Sequence, residues 1–498
     1  MNRKPFPSLY VWGIWLFGAG LRLGFLGKQD LFLDEAWSWA TIRLGIGPLL
    51  RLSLADPHPP FYYLLLKAYL LLVPDTEFWL RALSAGISLA SLWIVMQFTA
   101  ERWGRESALA AGFMLAVSSF DIYYAQEARM YTLAGFLWLV SFVALLRALE
   151  GGRRAWGVWV VTNILMAWTH LTLLLVVFAY LLFLAGYVVR GQGGVEGWQA
   201  DRRTVLVGMG LVLAGIGPAV WQVFQFSSDY RIGGAWIPGR GDLWALFLLW
   251  STGLTAARSY FLDSSHLTLP LLAQWSAAGW GIAGAVTVGF PAVWGMYRAW
   301  QKGGQERAWV WVSLCVVLGP ILLGFGYAFF LQRAAWAFKP FLGAGYLLWI
   351  WAGVGIGALP RASVRKGWGL AILLISAASL LPYFTGWQKS EAGQALRALP
   401  PLAAEDAVVV VPAYLAPLVF YYTPPETPLF SVSNHQTLLH ISPSEEHLTG
   451  LVQEVPCTAL SNIANLWIYG DPARIQPEQW PECVQEKQVW MFIEGGWK

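Results

Sequence analysis

Two adjacent carboxylates, Asp34 and Glu35, stand just before a stretch rich in Trp, Leu and Ile. Residues 35–54 have the amphipathic character of a helix that lies along a membrane surface rather than crossing the membrane. Neighbouring side chains on a helix point in different directions, and a nearby like charge raises one of the two pKa values. One carboxylate can therefore serve as a general base while the other orients it. The alternative is that Asp34 only caps the helix through the amide groups of the first turn.

A histidine follows in an Asp-Pro-His-Pro-Pro sequence, in which His58 is succeeded by aromatic residues that include Tyr62. Prolines suit an extended approach to a helix start, so His58 is either a helix-entry residue or a substrate ligand. The apolar helix that starts here must end by Pro74, which makes it too short to span a bilayer. Two surface helices in one segment indicate a lid or cradle rather than a simple connector.

Further ionisable residues gather in the next outer segment, where Asp121, Glu127 and Arg129 precede Tyr131. These residues either line a binding site or form a local ion-pair network. His170, in a Trp-Thr-His sequence, stands where two apolar helices turn, and a lone histidine in such a place is usually structural. Ionisable groups near a membrane are costly, so this one-sided clustering indicates function.

The elements that position these residues are membrane helices. Of 498 residues, 57% are hydrophobic, 12% are charged and 31 are tryptophan, which excludes an ordinary water-soluble enzyme. The net charge of +4 excludes the basic face of a nucleic-acid-binding protein. We predict a polytopic α-helical membrane protein with about eleven spans. The predicted spans are 8–26, 78–100, 107–120, 131–149, 155–169, 171–189, 204–226, 275–297, 308–330, 338–358 and 368–386.

The distribution of Lys and Arg predicts the orientation. No small-residue cleavage site precedes Lys28, so residues 8–26 are predicted to be an uncleaved first span, with the Arg22 side chain reaching to the interface. Positive residues are retained on the cytoplasmic side, and short basic loops alternate with long outer segments. The predicted cytoplasmic loops are 101–106, 150–154, 190–203, 298–307 and 359–367, and the outer segments are 27–77, 227–274 and 387–498. This pattern places the chain in the cytoplasmic (inner) membrane, with the candidate site and the C-terminal domain on the periplasmic or outer side.

The composition changes after Trp387, which divides the chain into a membrane domain, 1–387, and an extracytoplasmic soluble domain, 388–498. The latter carries 12 Asp and Glu against 5 Lys and Arg. Residues 407–411, 465–469 and 489–493 read as strands and 444–455 as a helix, so a small α/β unit is predicted. Cys457 and Cys483 can form a disulfide on an oxidising side of the membrane, and two unpaired thiols are the alternative.

The order of these motifs resembles the bacterial GT-C glycosyltransferases related to protein O-mannosyltransferases and lipid A aminoarabinose transferases. The resemblance rests on the acidic pair, then His-Pro-Pro with aromatics, then an Arg-Ala-Leu-Ser-Ala sequence from Arg81, then residues 126–131. The similarity covers residues 8–190, is weaker at Thr169-His170, and continues after residue 204 mainly as topology.

This resemblance implies an inverting glycosyltransferase that takes a sugar from a polyprenyl-phosphate carrier and transfers it to a lipid, glycan or protein acceptor. By the family pattern Asp34 is the general base and Glu35 an orienting residue or acceptor ligand, with Asp121 and Glu127 on the opposite wall. A carrier phosphate needs cations, preferably arginine, whose guanidinium can donate two parallel hydrogen bonds to phosphate oxygens. The candidate substrate-binding residues are His58, Tyr62, Asp121, Glu127, Arg129, Tyr131, His170, Arg333 and Lys339, with Arg231 as a further cation.

Arg333 departs from the family pattern, because many relatives have Arg-Tyr at this place whereas this chain has Arg-Ala. Carboxylates of the outer cluster could hold Mg²⁺ or Mn²⁺, but related inverting enzymes work without a metal, so no cofactor is expected. The competing functions are a transporter or flippase for lipid-linked glycans and a membrane scaffold. Transporters more often have inverted repeats and broken helices at the midplane, whereas the acidic residues here gather at one surface.

Overall fold

The computed structural model describes residues 9–56, 58–190, 197–225, 237–239, 242–253, 277–330, 337–385, 390, 392–411, 413–424, 426–432, 438–441, 453–470, 480–493 and 496–497. These residues divide into two compact units. The first unit contains the described residues of Met1–Leu26, Ser53–Tyr62 and Arg81–Trp387, and the second contains those of Gly27–Leu52, Tyr63–Leu80 and Gln388–Lys498. The second unit therefore combines the described residues of the C-terminal segment with those of segments 27–52 and 63–80.

Helices dominate the chain. They are α1 (Leu9–Leu23), α2 (Leu33–Arg43), α3 (Ile46–Leu54), α4 (Phe61–Leu70), α5 (Glu77–Trp103), α6 (Arg105–Ala116), α7 (Ser119–Ala125), α8 (Tyr131–Leu149), α9 (Arg153–Thr169), α10 (Leu174–Arg190), α11 (Arg202–Gln225), α12 (Asp242–Ser251), α13 (Ala277–Gly284), α14 (Phe290–Lys302), α15 (Gly304–Phe330), α16 (Leu342–Gly357), α17 (Ala362–Thr385), α18 (Ala392–Arg397), α19 (Ala416–Tyr422) and α20 (Glu482–Gln485). A π-helical turn, Ala285–Gly289, joins α13 to α14, and short 3₁₀ turns occupy Leu171–Leu173 and Lys339–Phe341.

The chain is a multi-pass membrane protein. Within the described ranges, seven helices are long and apolar enough to cross a bilayer, and an eighth span is obtained if α6 and α7 count together. The predicted number of eleven is not confirmed. Helix α1 has only 15 residues, and the predicted span 107–120 is a pair of helices bent by 59°.

The bend between α6 and α7 has a local cause. Ser118 is the N-cap of α7, and its side-chain oxygen accepts a hydrogen bond from the Asp121 amide at 3.3 Å. Serine at this position supplies the acceptor that the first turn of a new helix needs. The chain consequently starts a second helix at Ser119, in a new direction, instead of extending α6.

Helix α16 is buried along almost all of its length in the first unit. Small residues allow the neighbouring helices to approach it closely, as is common in membranes. A Cβ added at Gly353 would lie 2.6 Å from the Ala111 Cβ, and one added at Gly355 would meet the Pro291 carbonyl oxygen. This packing fixes α16 and with it Tyr346, which reaches the candidate site described below.

The prediction of one continuous surface helix over residues 35–54 was wrong, because the structure has two helices there, α2 and α3. The backbone of Leu44 is extended, which ends α2. The Lys67 ammonium of α4 donates to the carbonyl oxygens of Ile42 and Leu44 at 2.6 and 2.9 Å. A cation at the end of a helix satisfies carbonyls that have no partner within the helix, so Lys67 stabilises the break. The short α4, which ends before Pro74, is present as predicted.

The C-terminal segment contains a mixed sheet. Its strands are β1 (Asp406–Val411), β2 (Leu429–Val432), β3 (Leu438–Ile441), β4 (Gln453–Glu454), β5 (Asn465–Gly470), β6 (Gln488–Ile493) and β7 (Gly496–Trp497), in the order β4-β3-β2-β1-β5-β6-β7. Strand β1 is parallel to β2 and β5, and β5 is parallel to β6. The three predicted strands are confirmed, and β1 is buried throughout, as its run of valines indicates.

Two further predictions concern the same segment. The predicted helix 444–455 is contradicted at its end, because Gln453–Glu454 pairs with β3 as a strand, and its residues up to 452 lie outside the described ranges. Of the two alternatives for the cysteines, the structure contains the disulfide between Cys457 and Cys483. It joins a 3₁₀ turn to α20 beside the core of the sheet.

Candidate functional site

The acidic pair stands in the first turn of α2, in the second unit. The Glu35 side chain is fully buried, and its Oε2 accepts a hydrogen bond from the Phe32 amide at 2.9 Å. Glu35 therefore caps α2. The Asp34 side chain is partly exposed. The two carboxylates thus differ in exposure.

In the first unit, Arg129, His170 and Lys339 lie around the ring of Tyr131, and His58 contacts Arg129 and His170. We call this group, His58, Arg129, Tyr131, His170 and Lys339, the Tyr131 cluster. The Lys339 ammonium lies 5.3 Å and the Arg129 guanidinium carbon 6.0 Å from the centre of the Tyr131 ring. The His58 and His170 rings pack edge to face at 5.3 Å, and one Arg129 nitrogen is 3.4 Å from the His58 Nε2.

Distant parts of the chain build this cluster. Tyr131 begins α8, His170 ends α9, Lys339 opens a 3₁₀ turn, and His58 lies between α3 and α4. Arg129 and both histidines are buried, with at most 9% of each exposed. The N-terminus of α8 adds the positive end of a helix dipole. The arrangement concentrates positive charge in a low-dielectric place, which suits an anion.

Electrostatics within the cluster separate the two histidines. Burial, followed by the nearby positive groups of His58, Arg129 and Lys339, lowers the pKa of His170 well below its usual value. The Asp56 carboxylate accepts the His58 backbone N–H at 2.9 Å and contacts its ring Nδ1. Burial by itself raises the pKa of Asp56, but the His58 hydrogen bonds and charge outweigh it and lower the pKa. His170 is therefore neutral, whereas His58 has a carboxylate partner.

Two further predicted ligands, Tyr62 and Glu127, lie near the backbone that carries Arg129. Tyr62 is fully buried, and its hydroxyl is 3.4 Å from the Ser84 hydroxyl, which in turn donates to the Arg129 carbonyl oxygen at 3.3 Å. Glu127 is buried and accepts a hydrogen bond from the Tyr123 hydroxyl. These contacts support the backbone that carries Arg129.

Asp121 belongs to a network that the sequence did not predict. The Arg22 guanidinium is completely buried, with a nitrogen 2.7 Å from Asp121 Oδ2, so the expectation that it reaches the interface was wrong. Ser88 also contacts this carboxylate, and the Tyr346 hydroxyl donates to its other oxygen at 2.6 Å. The signal was present, because an arginine inside an apolar run normally has a buried partner.

The same arginine binds the end of α6. Its guanidinium donates to the carbonyl oxygens of Leu115 and Ala116 at 2.8 and 3.0 Å. These carbonyls are at the C-terminus of α6, where no intrahelical partner exists. Arg22 thus joins the end of α6 to Asp121 in the first turn of α7, and it holds both sides of the bend.

Gln126 continues this arrangement towards Arg129. Its side-chain amide donates to carbonyl oxygens at the end of α1, including that of Arg22 at 3.1 Å, and accepts from the Tyr383 hydroxyl at 2.7 Å. The segment between α7 and α8 is therefore fixed at both ends. Arg333 and Arg231 lie outside the described residues. Among the residues that the structure describes, no group of three or more His, Cys, Asp and Glu side chains is placed to hold a metal ion.

No family model matches the sequence, and the curated proteins contain no match. Among solved structures, the chain is similar to ArnT from Cupriavidus metallidurans in the apo state, with a TM-score of 0.54 at 12% identity over 86% of this chain and 85% of that chain. The structure of ArnT bound to undecaprenyl phosphate gives a TM-score of 0.53 at 13% identity over 86% and 87%. The archaeal oligosaccharyltransferase AglB from Archaeoglobus fulgidus, with a dolichol-phosphate and an inhibitory peptide, gives 0.46 at 12% identity over 82% and 63%, too low to indicate a common fold.

ArnT is a lipid A aminoarabinose transferase and a GT-C glycosyltransferase. The resemblance that the motifs indicated is therefore confirmed at the level of the fold. The chain is a multi-pass membrane protein with an ArnT-like fold.

Proposed function

We propose that the chain is an inverting glycosyltransferase that moves a sugar from a polyprenyl-phosphate carrier to an acceptor at the outer face of the cytoplasmic membrane. The Tyr131 cluster is the observation that carries this proposal. The similarity in fold between this chain and ArnT, which has been crystallised with undecaprenyl phosphate, adds support.

The cluster suits a lipid phosphate better than a neutral ligand. The planar Arg129 guanidinium can donate two parallel hydrogen bonds to phosphate oxygens, and the Lys339 ammonium supplies a compact positive charge. Both groups already lie against the Tyr131 ring, so little ordering is needed when an anion arrives. His170, being neutral, can donate one hydrogen bond without adding a further full charge. Desolvation of a phosphate is costly, and this concentration of donors offsets it.

In the proposed reaction, the bond between the anomeric carbon and the phosphate oxygen breaks while the acceptor oxygen or nitrogen attacks from the opposite face. The electron pair of the broken bond stays on the phosphate, which leaves as an anion already stabilised by the cluster. The acceptor proton passes to Asp34, the general base. Glu35 holds Asp34 at the start of α2 through its cap. Asp121 has a positioning role through Arg22 and Tyr346.

The proposed donor site is tested by changing Arg129 to methionine. We expect the affinity for undecaprenyl phosphate, measured by native mass spectrometry or microscale thermophoresis in detergent, to fall about 10- to 100-fold. A charge-assisted hydrogen bond contributes roughly 1.5–3 kcal/mol, which corresponds to that range. Transfer is followed with a panel of undecaprenyl-phosphate-linked hexoses and pentoses, by mass spectrometry of the released undecaprenyl phosphate.

The matched control is Arg153→Met, which removes the same charge from an exposed position at the start of α9. This variant should keep the affinity of the unmodified chain. If Arg129→Met and Arg153→Met bind undecaprenyl phosphate equally well, the Tyr131 cluster is not the donor site. If the lipid binds but no sugar of the panel is transferred by the unmodified chain, a carrier for lipid-linked glycans becomes the better reading.

The proposed orientation has a separate test. Cysteines are introduced at two exposed positions in a chain without Cys315, as Gln301→Cys in the basic segment 298–307 and Ala404→Cys in the C-terminal segment. In intact spheroplasts, an impermeant maleimide should label the second cysteine only, and it should label both after lysis. Labelling of the first cysteine from outside would contradict the proposed inner-membrane topology with an outer C-terminal domain.

A further inference from the structure

A carboxylate four residues before Asp34 is held by the C-terminal segment. Asp30 is almost completely buried, and its Oδ1 contacts the Arg397 guanidinium of α18. Its Oδ2 accepts the Gln394 backbone N–H at 2.8 Å. The same guanidinium lies 3.5 Å from a Glu77 carboxylate oxygen. Asp30 is therefore fixed by two groups of one helix, α18, which lies more than 300 residues away in the sequence.

The next residue, Leu31, is held as well. Its backbone N–H donates to the Tyr422 hydroxyl of α19 at 2.7 Å. The Arg397 guanidinium lies 4.9 Å from the centre of the Tyr422 ring, so the two holding residues also contact each other. Partial burial alone would lower the pKa of Arg397, but the charges of Asp30 and Glu77 outweigh it and raise the pKa. Arg397 thus stays protonated over the whole physiological range.

Close packing at one glycine shows how little space this arrangement leaves. A Cβ added at Gly393 would clash with Asp30 Oδ1 and would lie 2.7 Å from the Tyr422 ring. The atoms that would be struck belong to a buried carboxylate and a half-buried ring, which cannot swing away cheaply. An alanine at this position therefore acts as a wedge that displaces Asp30 without changing any charge.

We propose that Arg397 and Tyr422 are positioning residues, which hold Asp30 and Leu31 and thereby fix the start of α2, where Asp34 stands. The assignment of a catalytic effect rests on the proposed function, in which Asp34 is the base. A base must be held within a fraction of an ångström of its productive place, and a small displacement costs much of the rate. The C-terminal segment is on this proposal part of the catalytic apparatus rather than a separate binding module.

Two variants test the proposal by different physical means. Arg397→Gln removes the ion pair at a side chain that is 54% exposed, so folding should tolerate it. Gly393→Ala displaces Asp30 through the steric overlap of the added Cβ. Both should lower kcat for sugar transfer about 10- to 100-fold while leaving the KM for the donor and the affinity for undecaprenyl phosphate within about twofold. Arg397→Lys should recover part of kcat. Lys487→Gln, which removes a charge elsewhere in the C-terminal segment, should behave as the unmodified chain.

Hydrogen exchange of the peptide covering residues 30–43 needs no enzymatic assay. It reports directly on the anchor, by which we mean the contacts of Arg397 and Tyr422 with Asp30 and Leu31. We expect faster exchange in Arg397→Gln and Gly393→Ala, and no change in Lys487→Gln. Unchanged exchange in both variants would overturn the proposal, as would faster exchange with an unchanged kcat per folded molecule. If the unmodified chain transfers no sugar, the proposed function fails, whereas faster exchange in the variants still supports the anchor itself.

Discussion

Replacing Asp34 with asparagine is expected to lower the rate constant of sugar transfer by roughly 10² to 10⁴, the usual contribution of a general base. Asparagine keeps the size of the side chain but cannot accept the acceptor's proton. The first turn of α2 should survive, because the substitution leaves the Glu35 carboxylate that caps it in place. The measurement is single-turnover transfer from an undecaprenyl-phosphate-linked sugar, with the affinity for undecaprenyl phosphate determined on the same sample.

Asp75→Asn is the matched control for this experiment. It removes a carboxylate of the same unit that pairs with Arg43 and Trp39 near the surface, so its transfer rate should be close to that of the unmodified chain. A variant at Asp34 that transfers sugar as fast as the Asp75 variant would show that the base lies elsewhere or that the chain is a carrier. Loss of undecaprenyl phosphate binding in Asp34→Asn would instead indicate a general disturbance of the site.

The sequence predicted most of what depends on local pattern. Long apolar runs predict membrane helices, and the valine run from Ala407 to Val411 predicts a buried strand. Both predictions depend only on how many apolar residues follow one another and at what spacing. The ends of helices and the bends between them were harder to predict. The end of α2 depends on Lys67, and the bend after α6 depends on Ser118 together with a distant arginine. No hydropathy window contains such information.

The polar partners were the least predictable part. Asp30 and Arg397 are separated by more than 300 residues, and neither stands in a motif that indicates the other. Arg22 was visible in the sequence, but a position four residues from the end of a predicted span allows either a side chain at the interface or a buried one. Only the packing of Ser88 and Asp121 against it decides between them.

The buried pair of Arg22 and Asp121 leads to the largest expected effect on stability. Replacing Arg22 with methionine leaves the Asp121 charge buried and removes the donors to the last carbonyls of α6. Breaking one partner of a buried ion pair typically costs about 3–5 kcal/mol. We expect a loss of this size in the free energy of unfolding, measured by titration with a denaturing detergent.

Two comparisons separate the buried charge from a general effect of removing an arginine. Arg147→Met breaks an exposed pair with Glu101, and exposed pairs contribute only about 0–1 kcal/mol, so its loss should be small. The double variant Arg22→Met with Asp121→Asn should be less destabilised than Arg22→Met alone, because it leaves no unpaired charge in the interior. Equal losses for Arg22→Met and Arg147→Met would contradict a buried pair. A double variant as destabilised as the single one would instead assign the cost to the α6 carbonyls, since these lose the Arg22 donors in both.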